Sequence, residues 1–93
     1  MKRLFHIVAR ADWPACGEYR PASLATEGFV HCSFAEQVAG SVRRYYRDVP
    51  DLMVVEFDPS RVGPVEVENG FPHIYGPVPV SAAVAVHRID EFR

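Results

Sequence analysis

Apolar and polar positions change period several times along this chain, and each change predicts an element. Residues 4–8, Leu-Phe-His-Ile-Val, are apolar and partly β-branched, which predicts a strand. Its alternation places Leu4, His6 and Val8 on one face and Phe5 and Ile7 on the other. Asp12 is suited to cap a short helix over 13–16, with Pro14 tolerated in the first turn and Gly17 ending it. Residues 18–28 predict a loop, extended at Tyr19-Arg20 because the residue before Pro21 avoids the helical region. A second short strand is expected over 29–32. Ser33 and Glu36 then have capping-box spacing, and Val38, Val42 and Tyr45 follow at i, i+4 and i+7 beside Ala35 and Ala39. These positions predict one amphipathic helix running to about residue 47.

The second half is strand-like. After a turn at 48–51, Leu-Met-Val-Val-Glu-Phe over 52–57 is a nearly continuous apolar run of strand length, suited to a central position. Residues 65–68 alternate as an edge strand would, and Asn69-Gly70 is a strong turn signal. Residues 71–75 are expected to be extended, and Gly76-Pro77-Val78-Pro79 opposes regular pairing. A last strand is expected over 80–89, after a short turn at Ser81-Ala82. A single long helix among strands predicts α+β rather than a doubly wound parallel sheet.

Composition narrows the setting. At 93 residues the chain predicts one domain over 1–93, and 48% hydrophobic residues suit a globular protein. No apolar run approaches the roughly 20 residues that span a bilayer. The first apolar stretch is broken by His6 and Arg10, so no signal peptide is read and a cytoplasmic location is expected. The net charge of -2 argues against a broad nucleic-acid surface, and the lack of a long apolar run leaves no membrane partner expected. Arg43, Arg44 and Arg47 cluster, but Asp48 and Asp51 follow, as at a solvated helix end. A small phosphate-bearing ligand needs only one or two cations and stays open. Cys16 and Cys32 are expected as reduced thiols. Cys32 should point away from its neighbour His31 and be buried.

Four histidines carry the candidate chemistry, because imidazole titrates near neutral pH and offers a donor and an acceptor nitrogen. His6 lies in a strand, His31 ends one before the predicted helix start, and His73 precedes Tyr75-Gly76-Pro77. His87, near a charged end, is set aside. The strand-to-helix junction at His31-Cys32-Ser33 is a place where an anion can bind, or where Ser33 simply caps. Tyr75 shares a face with His73, where it could stack a base or pack as a core tyrosine. A zinc site of three histidines is a rival reading, although no metal-binding helix spacing is present. Glycine-rich phosphate loops and a nucleophile elbow are absent.

Several strings together resemble the bacterial domain-of-unknown-function family 952. They are Phe5-His6-Ile7-Val8, Gly17-Glu18-Tyr19-Arg20-Pro21-Ala22-Ser23-Leu24, Glu27-Gly28-Phe29-Val30-His31-Cys32-Ser33 with Glu36-Gln37, Val55-Glu56-Phe57-Asp58-Pro59, and Phe71-Pro72-His73-Ile74-Tyr75-Gly76-Pro77-Val78-Pro79. The resemblance implies an ADP-ribosyltransferase-like fold, with two small, mostly antiparallel sheets around a cleft and one main helix. It implies a small nucleotide-like ligand, with NAD as a substrate rather than a resident cofactor. His6, His31 and His73 match the places of the three motif residues and are the implied catalytic set. Ser33, Tyr75, Arg20 and Ser23 are the implied substrate-binding residues. In active relatives the third place is a glutamate, whose negative charge a neutral His73 does not supply. Glu56 or Glu68 is a candidate replacement. The implied activity is a transferase or glycohydrolase acting on NAD, ADP-ribose or a nucleotide phosphate. The alternatives are a non-catalytic nucleotide-binding module and a metal hydrolase.

Overall fold

The computed structural model describes residues 2–92. Its strands are β1 (Leu4–Ala9), β2 (Glu18–Tyr19), β3 (Val30–His31), β4 (Leu52–Phe57), β5 (Val65–Glu68), β6 (Phe71–Ile74), β7 (Val78–Pro79) and β8 (Ala83–Arg88). Among the described residues two α-helices occur, a short α1 (Ala22–Thr26) and the main helix α2 (Val38–Tyr45). The strands form three small antiparallel sheets, ordered β1-β4-β8, β2-β7 and β3-β6-β5. This is α+β as expected, with three sheets where two were implied. The extra division follows from Gly76, at φ 137, and Pro77. They turn the chain after Ile74, so β7 leaves β6 and pairs with β2 instead.

The first sheet is the middle layer. Phe5, Ile7, Leu52 and Val54 pack against Val38 and Val42 of α2. On the opposite face Leu4, Val8, Met53, Val55 and Phe57 meet Tyr19, Val30, Ile74 and Val78 from the two smaller sheets and Cys32 just after β3. Burial on both faces explains why β1 and β4 read as nearly continuous apolar runs. A bridge between Phe5 and Ser33 joins the edge of β1 to the chain leaving β3. No helix among the described residues is long and apolar enough to cross a membrane.

Local expectations shift in several places. The segment 18–28, expected as loop, contains β2 and α1, and Val78–Pro79, expected to oppose pairing, joins β2 as β7. Residues 13–16 form no helix; a single 3-10 turn spans Arg10–Asp12 instead, and the Trp13 ring packs on Tyr19 and Phe57. The cap at the main helical segment lies one residue later than its spacing suggests. Ser33 is held in the bridge to Phe5, while the Phe34 N–H donates to Gln37 Oε1 at 2.8 Å ahead of a 3-10 turn over Ala35–Gln37. Glu36 instead accepts from Lys2 Nζ at 2.8 Å. The helix stops at Tyr45, which is 68% exposed, and Tyr46 takes the half-buried place beside Val42.

Candidate functional site

Strand register builds the site. The two-residue turn Asn69-Gly70, with φ 54 and 83, sets Glu68 opposite Phe71 and Glu66 opposite His73. Across the other edge of β6, His73 pairs with His31 and Ile74 with Val30. Alternation does the rest: Val30 and Ile74 face the core, fully buried, while His31 and His73 face outward side by side. The two imidazole centroids lie 5.3 Å apart at an interplanar angle of 77°. Phe29, two residues before His31 and on the same face, stacks on His73 at 4.0 Å and 10°.

Each imidazole is held by a carboxylate. Glu27 Oε2 accepts from His31 Nε2–H at 2.9 Å. Glu68 Oε1 accepts from His73 Nδ1–H at 2.6 Å and from the Tyr75 hydroxyl at 2.5 Å. A carboxylate only accepts, so these bonds fix the tautomers. The bonds leave His31 Nδ1 and His73 Nε2 as the nitrogens not committed to a carboxylate. The Tyr75 hydroxyl and the His73 N–H together hold the Glu68 carboxyl below its usual range, and the same bond raises the Tyr75 phenol above its own.

These side chains border an open groove of about 840 Å³ between the β5–β6 hairpin and α2. Phe5, Ile7 and Ser33 lie at its base, where Ser33 Oγ and Ser41 Oγ are 3.2 Å apart. Arg44 and Tyr45 of α2 form the opposite lip. The arrangement suits proton transfer by imidazole, contact with a flat ring, and charge pairing of an anion with Arg44.

The expected residues divide between this groove and other places. His31, His73 and Ser33 line it. Tyr75 stands behind the wall, tilted on Phe29 at 5.3 Å with its hydroxyl committed to Glu68. His6 does not open into the groove. It is 5% exposed, donates from Nδ1–H to the His31 carbonyl at 2.6 Å and accepts the Tyr19 hydroxyl on Nε2 at 2.7 Å. Burial lowers its pKa to about 4, against the raising effect of the carbonyl bond. A neutral His6 therefore fastens β1 to the backbone of His31. Arg20 lies at a separate hollow beside Trp13 and Tyr19, paired with Glu18 at 3.0 Å. Ser23 donates to the Phe29 carbonyl at 2.8 Å and fixes the approach to β3. Glu56 pairs with His87 at 2.7 Å, away from the groove, which leaves Glu68 as the carboxylate beside His73.

Glu27, Phe29, Arg44 and Tyr45 complete the groove without having been singled out as ligand contacts. The hairpin register already implied a shared face for Glu68 and His73, and residue parity implied it for Phe29 and His31. Arg44 and Tyr45 reach the site only through tertiary packing of α2. Cys32 is buried, and burial pushes its thiol up, so it has no thiolate character beside His31. Among the described residues no group of three or more His, Cys, Asp or Glu is placed to hold a metal ion.

The family model described as "Protein of unknown function (DUF952)" matches residues 7–86, which include both groove histidines and all of α2. The chain belongs to the DUF952 family. None of the curated proteins matches it. The X-ray structure of protein CC0527 from Caulobacter crescentus is similar to this DUF952 chain, with a TM-score of 0.78 and 26% sequence identity, covering 91% of this chain and 83% of that one. The solution NMR structure of CC0527 gives a TM-score of 0.72 at the same 26% identity, covering 92% of this chain and 83% of that one.

Proposed function

We propose that the groove binds a nucleotide of the NAD or ADP-ribose class and performs acid–base chemistry on it. The observation that carries this reading is the pair of carboxylate-held imidazoles, 5.3 Å apart, on the wall of an open groove. Two lone pairs presented side by side suit proton removal at one atom and proton delivery at another, once one ring is protonated. The aromatic lip and wall offer faces for an adenine or nicotinamide ring, and Arg44 offers a partner for a phosphate. The ADP-ribosyltransferase-like fold that the sequence resemblance implies points the ligand toward NAD. Glu68 is the natural source of the negative charge that the third motif place lacks, since its carboxyl is held ionised beside His73. His6 acts in this reading through the His31 backbone and does not touch substrate.

Incubation with NAD and assay of nicotinamide release tests the proposal. Turnover that falls by about 100-fold or more in His31→Ala and His73→Ala is expected, within the usual range for loss of a general acid or base. Absence of turnover in the unaltered protein contradicts the NAD-cleaving version. Saturable ADP-ribose binding without turnover would instead favour a non-catalytic nucleotide module, a reading that the histidine at the third motif place itself favours.

A further inference from the structure

We infer that the groove continues into a narrow track for a single-stranded oligonucleotide, running over the C-terminal end of α2. The inference extends the preceding reading from one nucleotide to a strand, and it rests on that reading for the terminal nucleotide only. Arg3, Arg10, Arg20 and Arg88 each reach a carboxylate. Arg43, Arg44 and Arg47 are exposed and form no ion pair among the described residues. They line a second hollow of about 500 Å³ together with Tyr45 and Val49. Arg44 and Tyr45 line both hollows, so the two adjoin across this shared lip.

Helix electrostatics account for only part of this arrangement. Cations in the last turn of α2 complement its dipole, which explains Arg43 and Arg44. It explains neither Arg47, beyond the helix end, nor a tyrosine left 68% exposed in the same hollow as the three arginines. Alternating cations and an aromatic face are what a single strand uses, with phosphates on arginine and a base stacked on the ring. Asp48 lies in the same hollow and offsets one positive charge, which keeps the track short. A membrane surface fits less well, because the patch holds only three arginines, fewer than the roughly four to eight basic residues of a lipid-binding cluster.

Fluorescence anisotropy with a labelled oligoadenylate RNA of about six nucleotides, a length within the usual footprint of a short single-strand site, tests the inference. ADP-ribose is titrated in parallel. Binding is expected with a log–log salt slope of roughly -2, the value for about three phosphate contacts on a single strand. The double variant Arg43→Ala/Arg47→Ala, altered only at exposed positions, should reduce the slope to roughly -0.7. It should leave ADP-ribose affinity unchanged. Tyr45→Ala should weaken the oligonucleotide by about tenfold, as loss of one stacked base does. Oligonucleotide binding that is absent, or insensitive to the double variant, overturns the track whatever ADP-ribose does. Oligonucleotide binding with the expected sensitivities but no ADP-ribose binding upholds the track and removes the NAD or ADP-ribose reading.

Discussion

Glu68 is the residue on which the proposed chemistry turns. One of its oxygens accepts both the His73 N–H and the Tyr75 hydroxyl, so it sets the tautomer of the first and suppresses ionisation of the second. In Glu68→Gln the Tyr75 phenol should ionise at lower pH than in the parent, read by ultraviolet absorbance titration, because the neighbouring negative charge is gone. An unchanged titration would show that the hairpin does not hold Tyr75 and Glu68 together. His6 shows the opposite use of an imidazole. On the sequence it looked equivalent to His31 and His73, since a residue's neighbours in the chain do not reveal what covers it. The covering is tertiary: the Tyr19 hydroxyl and the His31 carbonyl come from chain segments 13 and 25 residues away. The substitution His6→Gln keeps a donor and an acceptor, and should preserve the fold better than His6→Ala.

Gln37 connects the groove's two walls at the level of elements. Its Oε1 accepts from Phe34 N–H at the start of the helical segment, and its Nε2 donates to the Gly70 carbonyl at the hairpin turn, 2.7 Å away. Replacing Gln37 with Ala removes the tie and the cap, and should destabilise the protein by about 1–2 kcal/mol in urea denaturation. It should also speed amide exchange at residues 68–71, while exchange in β4 follows only the change in global stability. Capping geometry was legible in outline here, but its register was not. The string Ser33-x-x-Glu36 fits the capping-box pattern better than Phe34-x-x-Gln37, whose first residue has no side-chain acceptor, and only the bridge between Phe5 and Ser33 decides against it. The long strands were readable because burial on both faces leaves an unambiguous apolar run. The pairs β2–β7 and β3–β6 are only two residues long and are fixed by distant partners, so local pattern carried little of them. At Asn69-Gly70 the turn specifies register by itself, so a shared face for Glu68 and His73 is implicit in the sequence, although Glu68 and Glu56 stood there as alternatives.

For the whole molecule, the two perturbed histidines bracket stability from opposite sides. His6 has a pKa of about 4 in the fold against 6.5 when unfolded, so below pH 6.5 the unfolded chain binds a proton that the fold refuses. Stability should therefore fall as pH drops from 6.5 toward 4, by roughly 3 kcal/mol from this group. The bonds to Glu56 and Glu91 raise the pKa of His87, so its contribution is complete below 6.5 and fades as pH rises through the elevated value. Urea unfolding across pH should show a maximum near 6.5 from these two groups. In His6→Gln the loss between pH 6.5 and 4 should shrink, and an unchanged acid limb would contradict the burial of a neutral His6. The three-layer arrangement makes both effects compatible: His6 lies on the covered face of the middle sheet, and His87 lies on its outer strand, 24% exposed.

The most direct measurement of the central claim is an ADP-ribose titration followed by the imidazole resonances of isotopically labelled protein. Saturable shifts at His31 and His73, with His87 unmoved, are the predicted result. Spectra that do not change up to millimolar ADP-ribose, or that change only at His87, would contradict a nucleotide site in the groove.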